Sequence, residues 1–429
     1  MPLRLDSRDP GFAARFAALV DARREADADV SRDVAAILKR VRAEGDAALA
    51  DYTQRFDRHD LDSRGWSVEP ADTRAALDGI PAALRDALEL AAARIATYHE
   101  KQKPQDSDGV DGAGVRLGAR WRAVDAAGLY VPGGRAAYPS SVLMNAIPAK
   151  VAGVERIAIV TPTPGGEINP MVLAAARIAG IEEIWRVGGA QAIAALAYGT
   201  ARIRAVDVIT GPGNAWVAEA KRQLYGVVGI DMVAGPSEIV VVADGRNDPE
   251  WTAADLLSQS EHDPTSQSIL FTDDAAFADA VAAAVERQIP ALSTAAVARA
   301  SWDANGAIIL VRALDEAMPL VDRLAPEHLE LAVDDPEPLF AQVRHAGSVF
   351  LGRMTPEAVG DYVAGPNHVL PTGRRARFSS GLSVLDFMKR TSFLGLDAAA
   401  IGAIGPAAVA LAQAEGLPAH AASVALRLR

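Results

Sequence analysis

The chain has 429 residues, of which 50% are hydrophobic and 23% are charged, and its formal net charge is −12. A general nucleic-acid or anionic-membrane binder needs a basic surface, so this negative charge argues against both classes. The absence of cysteine excludes disulfides, thiolate metal sites, iron–sulfur clusters and a catalytic thiol.

A chain of this length exceeds the size at which a single hydrophobic core stops growing, so we expect two or more domains. We find no secretory signal and no apolar run of about 18 residues, which a membrane span needs. The expected location is therefore the cytoplasm, with no nucleic-acid or membrane partner.

The first part of the chain, residues 1–118, is predicted to be mainly helical. Residues 29–50 and 81–99 carry apolar side chains at helical spacing, with charges between them. His59 and His99 lie among these charges, so we expect both to be solvated. Residues 106–118 are rich in glycine and aspartate, which predicts a linker or an exposed hairpin.

From about Trp121 onward, short β-branched runs alternate with alanine-rich helical stretches. The predicted strands are 156–160, 184–187, 206–209, 239–243, 268–272, 307–311 and 348–351, and the predicted helices between them include 171–179, 190–198, 215–225 and 251–260. This alternation is typical of βαβ units and of parallel sheets buried on both faces. We expect an α/β fold with two such sheets, divided near Gly235 and Pro236 into domains 119–236 and 237–385.

The tail, residues 386–429, is predicted to be helical. Residues 394–414 are rich in alanine, glycine and isoleucine with few charges, and a second helix is predicted at 418–428. So apolar a segment needs a partner surface, either on its own body or on another subunit.

Three glycine-rich turns, 131–134, 188–191 and 211–214, fall where predicted strands end and helices begin. Backbone amides at such turns can cradle a phosphate, and ligands of open α/β sheets bind at the carboxyl ends of strands. Glycine turns are also ordinary connectors, and the chain lacks a true G-x-G-x-x-G motif. From the pattern alone, these turns could bind a nucleotide or could simply reverse the direction of the chain.

Four polar clusters in the second half of the chain combine imidazole with carboxylate or amide groups. They are Gln259 with His262 and Asp263, Glu327 with His328, Asp361 with His368, and Glu415 with His420. Such groups can hold a divalent ion without sulfur, and two imidazoles favour zinc over magnesium or calcium.

Two of these clusters have specific structural predictions. Gln259 and His262 lie on one face near the end of a helix that begins around Pro249, and a solvated helix terminus is the alternative. Glu327 and His328 follow Pro326, which predicts that they open a helix and can exchange protons in one pocket mouth. An ordinary first-turn glutamate is the alternative there.

Seven motifs resemble, in the same order, those of the histidinol dehydrogenase family. They are residues 128–134, 211–214, 234–238, 259–263, 325–330, 360–368 and 415–420. The resemblance implies two Rossmann-like domains, the first binding NAD⁺ and the second binding zinc and substrate. It implies a homodimer with active sites shared through exchanged tails. The implied reaction oxidises L-histidinol to L-histidine through L-histidinaldehyde and reduces two NAD⁺.

The resemblance also assigns roles to individual residues. The implied zinc ligands are Gln259, His262, Asp361 and His420, and the implied proton-transfer pair is Glu327 and His328. The implied substrate contacts are Ser237, Gln259, His262, His328, Asp361, Glu415 and His420, and the implied NAD⁺ contacts are Tyr130, Gln191 and Asn214. Because a thiohemiacetal route is closed without cysteine, we expect Glu327 to activate water for the aldehyde step and His328 to take the alcohol proton.

Three other functions fit part of this pattern. A related dehydrogenase on the same scaffold could act on another polar alcohol. A zinc hydrolase could use Glu327 to activate a metal-bound water, but it leaves Tyr130, Gln191 and Asn214 without a role. A non-catalytic metal-binding protein has no need of an acid–base pair.

Overall fold

The computed structural model describes residues 1–22, 30–133, 138–233 and 235–429. Its strands are β1 (Leu3–Asp6), β2 (Ser107–Val110), β3 (Arg116–Ala123), β4 (Ala126–Tyr130), β5 (Arg156–Val160), β6 (Glu183–Trp185), β7 (Val208–Thr210), β8 (Gly229–Ile230), β9 (Glu238–Ala243), β10 (Gln267–Thr272), β11 (Ala307–Leu310), β12 (His328–Ala332), β13 (Ser348–Leu351) and β14 (Met388–Gly395).

Its α-helices are α1 (Phe12–Asp21), α2 (Ser31–Glu44), α3 (Asp46–Asp57), α4 (Leu61–Arg64), α5 (Pro70–Gly79), α6 (Ala82–Glu100), α7 (Pro139–Ala152), α8 (Pro170–Ile178), α9 (Gly189–Tyr198), α10 (Ala215–Leu224), α11 (Pro249–Ser260), α12 (Ala275–Gln288), α13 (Ala295–Asn305), α14 (Met318–Leu324), α15 (Glu337–Phe340), α16 (Glu357–Tyr362), α17 (Ala398–Ala414) and α18 (Pro418–Ala425).

The first parallel sheet has the strand order β6-β5-β4-β7-β8. All five residues of β4 are buried, because helices cover both faces of the sheet. Helices α6, α7 and α8 pack on one face, and α2, α3, α9 and α10 pack on the other. This two-sided burial explains why its strands are continuous apolar runs rather than alternating ones.

The second parallel sheet has the order β1-β11-β10-β9-β12-β13. Helices α1 and α14 cover one face, and α11, α12 and α13 cover the other. The prediction of two parallel sheets in an α/β fold is confirmed, and the chain passes from one sheet to the other between β8 and β9. The edge strand β1 comes from the predicted N-terminal helical region, so residues near the N-terminus complete a sheet formed mostly by residues beyond 237.

A third, antiparallel sheet has the order β14-β3-β2. Strands β2 and β3 form a hairpin, as one of the two predictions for residues 106–118 expected. The prediction of a fully helical tail was wrong for residues 388–395. These residues form β14, which pairs along its whole length with β3, a partner far away in sequence. Helices α17 and α18 then pack on each other, and Ala400 and Gly405 are the buried residues of α17.

The helix predicted at residues 29–50 is interrupted, and its first residue lies outside the described part of the chain. Helix α2 ends at Glu44 and α3 begins at Asp46. Gly45 between them has a φ of +56°, a left-handed conformation that glycine adopts without a Cβ penalty.

His59 and His99 are fully buried, so the prediction that both are solvated was wrong. His59 Nε2 lies 3.2 Å from the carbonyl oxygen of Gly65. His99 Nδ1 lies 2.8 Å from the carbonyl oxygen of Ile95, and the side-chain nitrogen of Asn367 is 3.4 Å from its Nε2. Distant loops cover these rings, which a local charge pattern does not reveal.

Among the described residues, no helix is both long and apolar enough to cross a membrane.

Candidate active site

The pair Glu327 and His328 lies at the amino end of β12, an interior strand of the second sheet. The prediction that these residues open a helix was wrong, because His328 is the first residue of a strand that pairs with β9 on one side and β13 on the other. Both side chains are buried, and His328 is 3% exposed. The backbone N–H of Glu238 donates to Glu327 Oε2 at 3.0 Å, so the amino edge of the sheet holds this carboxylate.

The imidazole of His328 is surrounded by polar groups on both edges. Its Nδ1 lies 3.1 Å from the carbonyl oxygen of Glu238 and 3.3 Å from Gln259 Nε2. Its Nε2 lies 3.5 Å from Asp361 Oδ1 and 3.6 Å from Glu357 Oε1, and it has no hydrogen-bond partner among the described residues. Nε2 is therefore the ring nitrogen that is free to exchange a proton with a ligand.

The charges around this pair shift the pKa values of both groups. Burial lowers the pKa of His328, but the carboxylates of Glu327, Asp361 and Glu357 outweigh burial and raise that pKa to about 10. Burial raises the pKa of Glu327 to about 8, although the adjacent His328 opposes the shift. Perturbed acid and base groups side by side in a buried cluster are typical of catalytic sites.

Helix α11 supplies Gln259, and His262 follows two residues after its end. Gln259 is 1% exposed, and its Nε2 donates to Glu357 Oε1 at 2.8 Å. Its Oε1 has no hydrogen-bond partner among the described residues. His262 is exposed, and its Nδ1 lies 2.8 Å from the carbonyl oxygen of Ser258. That bond leaves Nε2 available, an arrangement common in metal-binding histidines.

Glu357 belongs to this cluster, although none of the sequence motifs identified it. It is 1% exposed, and it accepts hydrogen bonds from Gln259 Nε2 and from Ser258 Oγ, each at 2.8 Å. Burial raises its pKa to about 7. No histidine lies beside it in sequence, but Glu357 precedes Asp361 by one helical turn, a spacing that puts both on one face of α16.

His328, Glu357 and Asp361 each offer a ligand atom within 4.8 Å of the others, so the three could hold a metal ion. Only Asp361 of these was predicted as a ligand. Burial raises the pKa of Asp361, but His328 outweighs it and lowers the pKa to about 2, so this carboxylate stays ionised. His368 packs behind it, with Nδ1 3.0 Å from the carbonyl oxygen of Asp361.

The remaining predicted substrate contacts divide into two groups. Ser237 is half-buried just before β9, at the same edge of the sheet as Glu327. Glu415 follows the last residue of α17 and His420 lies in α18, and both are exposed. Within the described chain, no hydrogen bond or ion pair joins either of them to Gln259, His262 or Asp361.

The predicted cofactor contacts lie at the carboxyl edge of the first sheet. Tyr130 ends β4, and its hydroxyl oxygen accepts from the backbone N–H of Gly189 at 3.2 Å. Burial raises the pKa of Tyr130 to about 12, so the phenol stays protonated. Gln191 is buried in the first turn of α9, and Asn214 is exposed at the start of α10, where its Oδ1 accepts from the N–H of Trp216 at 3.1 Å.

Tyr130 and Asn214 flank a crevice where the strand order reverses, since β4 is followed by β5 and β6 on one side and by β7 on the other. Such switch points are the usual ligand crevices of open α/β sheets. The predicted turn at residues 131–134 is described only as far as Gly133. The fold is of the α/β class, with buried acid–base groups at the amino edge of one parallel sheet and a switch-point crevice at the carboxyl edge of the other.

Comparisons with known proteins identify the family. The family model described as histidinol dehydrogenase matches residues 20–428. Histidinol dehydrogenase of Zymomonas mobilis is 66% identical over 428 residues, covering 100% of both chains. That of Rhodospirillum rubrum is 64% identical, covering 100% of this chain and 99% of the relative. The crystal structure of histidinol dehydrogenase from Elizabethkingia anophelis superposes with a TM-score of 0.94 at 35% identity, covering 100% of this chain and 98% of that one. The chain belongs to the histidinol dehydrogenase family.

Proposed function

We propose that this chain catalyses the zinc-dependent oxidation of L-histidinol to L-histidine through L-histidinaldehyde, with reduction of two NAD⁺. The observation that carries the proposal is the buried pair of Glu327 and His328 beside Gln259 and Asp361, in a chain with full-length similarity to histidinol dehydrogenases. We also propose that the enzyme is a cytoplasmic homodimer.

The residues at the site suit a divalent cation. The unpartnered Oε1 of Gln259 is the amide atom that a metal prefers, and the Nε2 of His262 is left free by the bond that Nδ1 makes. Asp361 is ionised, and its Oδ1 lies 3.5 Å from His328 Nε2. We assign Glu357 to the surrounding shell rather than to the metal, because Gln259 and Ser258 already donate to its two oxygens.

Zinc held by Gln259, His262, Asp361 and His420 would bind the amine and imidazole nitrogens of histidinol and offset the carboxylate charge that raises the pKa of His328. In the first step, His328 Nε2 takes the hydroxyl proton while a hydride leaves the carbinol carbon for NAD⁺. The products are the aldehyde, NADH and protonated His328. This step requires a neutral imidazole, so its rate rises with pH through the pKa of His328 in the loaded enzyme.

In the second step, Glu327 takes a proton from the water that attacks the aldehyde carbon. Protonated His328 returns its proton to the aldehyde oxygen, which completes the gem-diol. His328 then takes one hydroxyl proton of the gem-diol while the hydride would pass to the second NAD⁺, and the carboxylic acid is formed. Burial raises the pKa of Glu327 toward the working pH range, which suits a group that must both accept and release a proton.

The dimer proposal follows from the tail. Helix α17 exposes apolar side chains such as Ile404 and Leu411, and exposed apolar surface of this kind needs a partner. Glu415 and His420 are exposed near the end of the same tail. We propose that the partner's tail carries these two residues into the active site.

Mixing two inactive variants tests the shared site. His328→Ala and His420→Ala proteins, combined under conditions where subunits exchange, should form heterodimers with one intact site and recover up to about a quarter of wild-type activity. Each variant exchanged with itself is the matched control. If subunit exchange is verified and no activity returns, the crossed-over site is wrong.

The reaction itself is tested by following NADH formation with histidinol and with histidinaldehyde separately. Both half-reactions should proceed, and the product should be histidine with two NADH per histidinol. Chelation should abolish turnover, and zinc should restore it. Activity with another polar alcohol but not with histidinol would point to a related dehydrogenase, and activity that survives verified loss of metal would contradict the metal assignment.

A further inference from the structure

A buried ion pair lies beneath the glycine loop at the crevice of the first sheet. It joins Lys221 of α10 to Asp231, which follows β8, and the two side chains are 3% and 1% exposed. Both partners also bind one residue of the loop. Lys221 Nζ donates to the carbonyl oxygen of Gly211 at 3.0 Å, and the N–H of Gly211 donates to Asp231 Oδ2 at 2.8 Å. One ion pair therefore holds both polar backbone groups of Gly211.

Gly211 is also fixed by close packing. Its φ is +114°, in the region that L side chains avoid, and a Cβ added there would lie 2.2 Å from the carbonyl oxygen of Tyr130. Gly211 thus lies directly on the backbone of β4. Three residues later, Asn214 caps α10. The ion pair consequently sets where the loop stands between Tyr130 and Asn214, the two residues that flank the crevice.

Stability alone gives little reason for this pair. Removing two charges from water costs several kcal/mol per ion, and well-packed apolar residues are often as stabilising as a buried ion pair. Apolar residues could not, however, bind the N–H and the C=O of Gly211 at the same time. The contacts therefore indicate that the ion pair fixes the conformation of the loop, rather than that it serves mainly to increase the free energy of unfolding.

We propose that Lys221 and Asp231 are positioning residues for the dinucleotide, holding residues 211–214 in the conformation that receives NAD⁺. They touch the loop and not the ligand. The inference rests on the proposed function, which assigns NAD⁺ to this crevice.

The test replaces the pair without leaving a buried unpaired charge. In Lys221→Met/Asp231→Asn, the Asn carbonyl can still accept from Gly211, but the lysine contact to its carbonyl oxygen is lost. The KM for NAD⁺ should rise about tenfold, as expected when a binding group is misplaced by a fraction of an ångström, while kcat and the KM for histidinol change less than about twofold. NADH binding, followed by its fluorescence, should weaken by the same factor.

The matched control is an ion pair at the opposite edge of the same sheet. Arg156, at the start of β5, binds Glu183 at 2.8 Å and donates to the carbonyl oxygens of Arg204 and Ala205. Arg156→Met/Glu183→Gln should lower the Tm without raising the KM for NAD⁺. If both double variants raise this KM equally, the effect is general loosening and the positioning role is overturned.

Two further variants distinguish a failure to fold, a failure of the positioning role and a failure of the cofactor assignment. If the neutral double variant does not fold, Lys221→Arg keeps the charge but changes the donor geometry at Gly211, and it should also raise the KM for NAD⁺ selectively. Asn214→Ser keeps an N-cap but alters the proposed cofactor contact. If Asn214→Ser raises the KM for NAD⁺ and the Lys221 variants do not, positioning is overturned and the cofactor site stands. If none of them raises it, the cofactor assignment itself fails.

Discussion

The two parallel sheets present opposite edges to their sites. In the first sheet, Tyr130 and Asn214 lie at the carboxyl ends of β4 and β7, next to the amino termini of helices. In the second, Glu327 and His328 lie at the amino end of β12, beside the amino end of β9. Both sites fall where the strand order reverses, but only the first follows the rule that ligands bind at carboxyl ends.

The carboxyl edge of the second sheet is filled instead by ion pairs. Arg353 binds Asp244 and Asp334, each at 2.6 Å, and Asn247 Nδ2 donates to the carbonyl oxygen of Ala332 at 2.7 Å. The comparison of the two carboxyl edges shows that a point where the strand order reverses forms an open crevice only if side chains do not fill it. The amino edge instead holds a carboxylate, because the N–H of Glu238 at the start of β9 donates to Glu327.

The largest effect is expected at the amino edge of the second sheet. His328→Gln should lower kcat for histidinol by about a thousandfold, because general-base catalysis contributes roughly that much. His345→Gln, in the same domain but outside the cluster, is the matched control and should keep wild-type activity. If His328→Gln binds zinc normally and retains a tenth or more of wild-type kcat, the catalytic groups of this sheet do not lie at its amino edge.

The next largest effect separates the two half-reactions. Glu327→Gln should slow oxidation of histidinaldehyde by about a hundredfold, because Glu327 activates the attacking water, and should slow the alcohol step by about threefold or less. Single-turnover NADH formation with each substrate measures the two rates. Equal losses in both steps would assign Glu327 a structural role in holding the amino end of β9.

A smaller effect is expected for the residue that orients Gln259. Glu357→Gln replaces the carboxylate that accepts from Gln259 Nε2 by a neutral amide, whose NH2 group can face Gln259 instead, so the contact that directs the Gln259 amide oxygen away from residue 357 is weakened. Zinc affinity, measured by competition with a chelator, should fall by about 10- to 100-fold. Ser258→Ala removes only the bond to the other oxygen of Glu357 and should lower the affinity less. Unchanged affinity in Glu357→Gln would contradict this orienting role.

The smallest effect is expected at the filled carboxyl edge. The hydrogen bonds from Arg353 outweigh burial and lower the pKa of Asp244 to about 2. Since the unfolded value is about 3.9, the pair stabilises the fold above that pH and loses its effect as pH falls toward 2. Arg353→Met should therefore lower the free energy of unfolding by about 1 kcal/mol near pH 7 and by less near pH 3, with kcat unchanged.

Urea unfolding at the two pH values measures this difference. Arg246→Met removes a more exposed partner of Asp244 and should have a smaller effect. A loss of kcat in Arg353→Met would mean that this edge also takes part in function. An equal loss of stability at both pH values would show that Arg353 acts through packing of its side-chain stem.

Much of the fold could be predicted from local pattern. Strand 348–351 was predicted with the bounds that β13 has, and helix 190–198 with an error of one residue at its start. Apolar runs and helical spacing are properties of neighbouring residues, so they need no knowledge of the rest of the chain. The same holds for the glycine turns at residues 188–191 and 211–214, which join strands to helices.

The candidate site was predicted in part. The motifs named Gln259, His328 and Asp361, and the structure brings these three together, with His328 Nε2 3.5 Å from Asp361 Oδ1. They did not name Glu357, because its importance comes from contacts with α11 and β12 rather than from its neighbours in sequence. Glu415 and His420 stay predictions, since in this chain they lie on the exposed tail.

What the sequence by itself determined is the helices and strands with strong local patterns and most of the chemical groups. Tertiary structure alone decided that Glu327 and His328 start a strand, that His59 and His99 are buried, and which edge of each sheet is open. The physical reason is that strand pairing and burial depend on partners far along the chain. Residue 328 pairs with residue 239, and no window of neighbouring residues contains both.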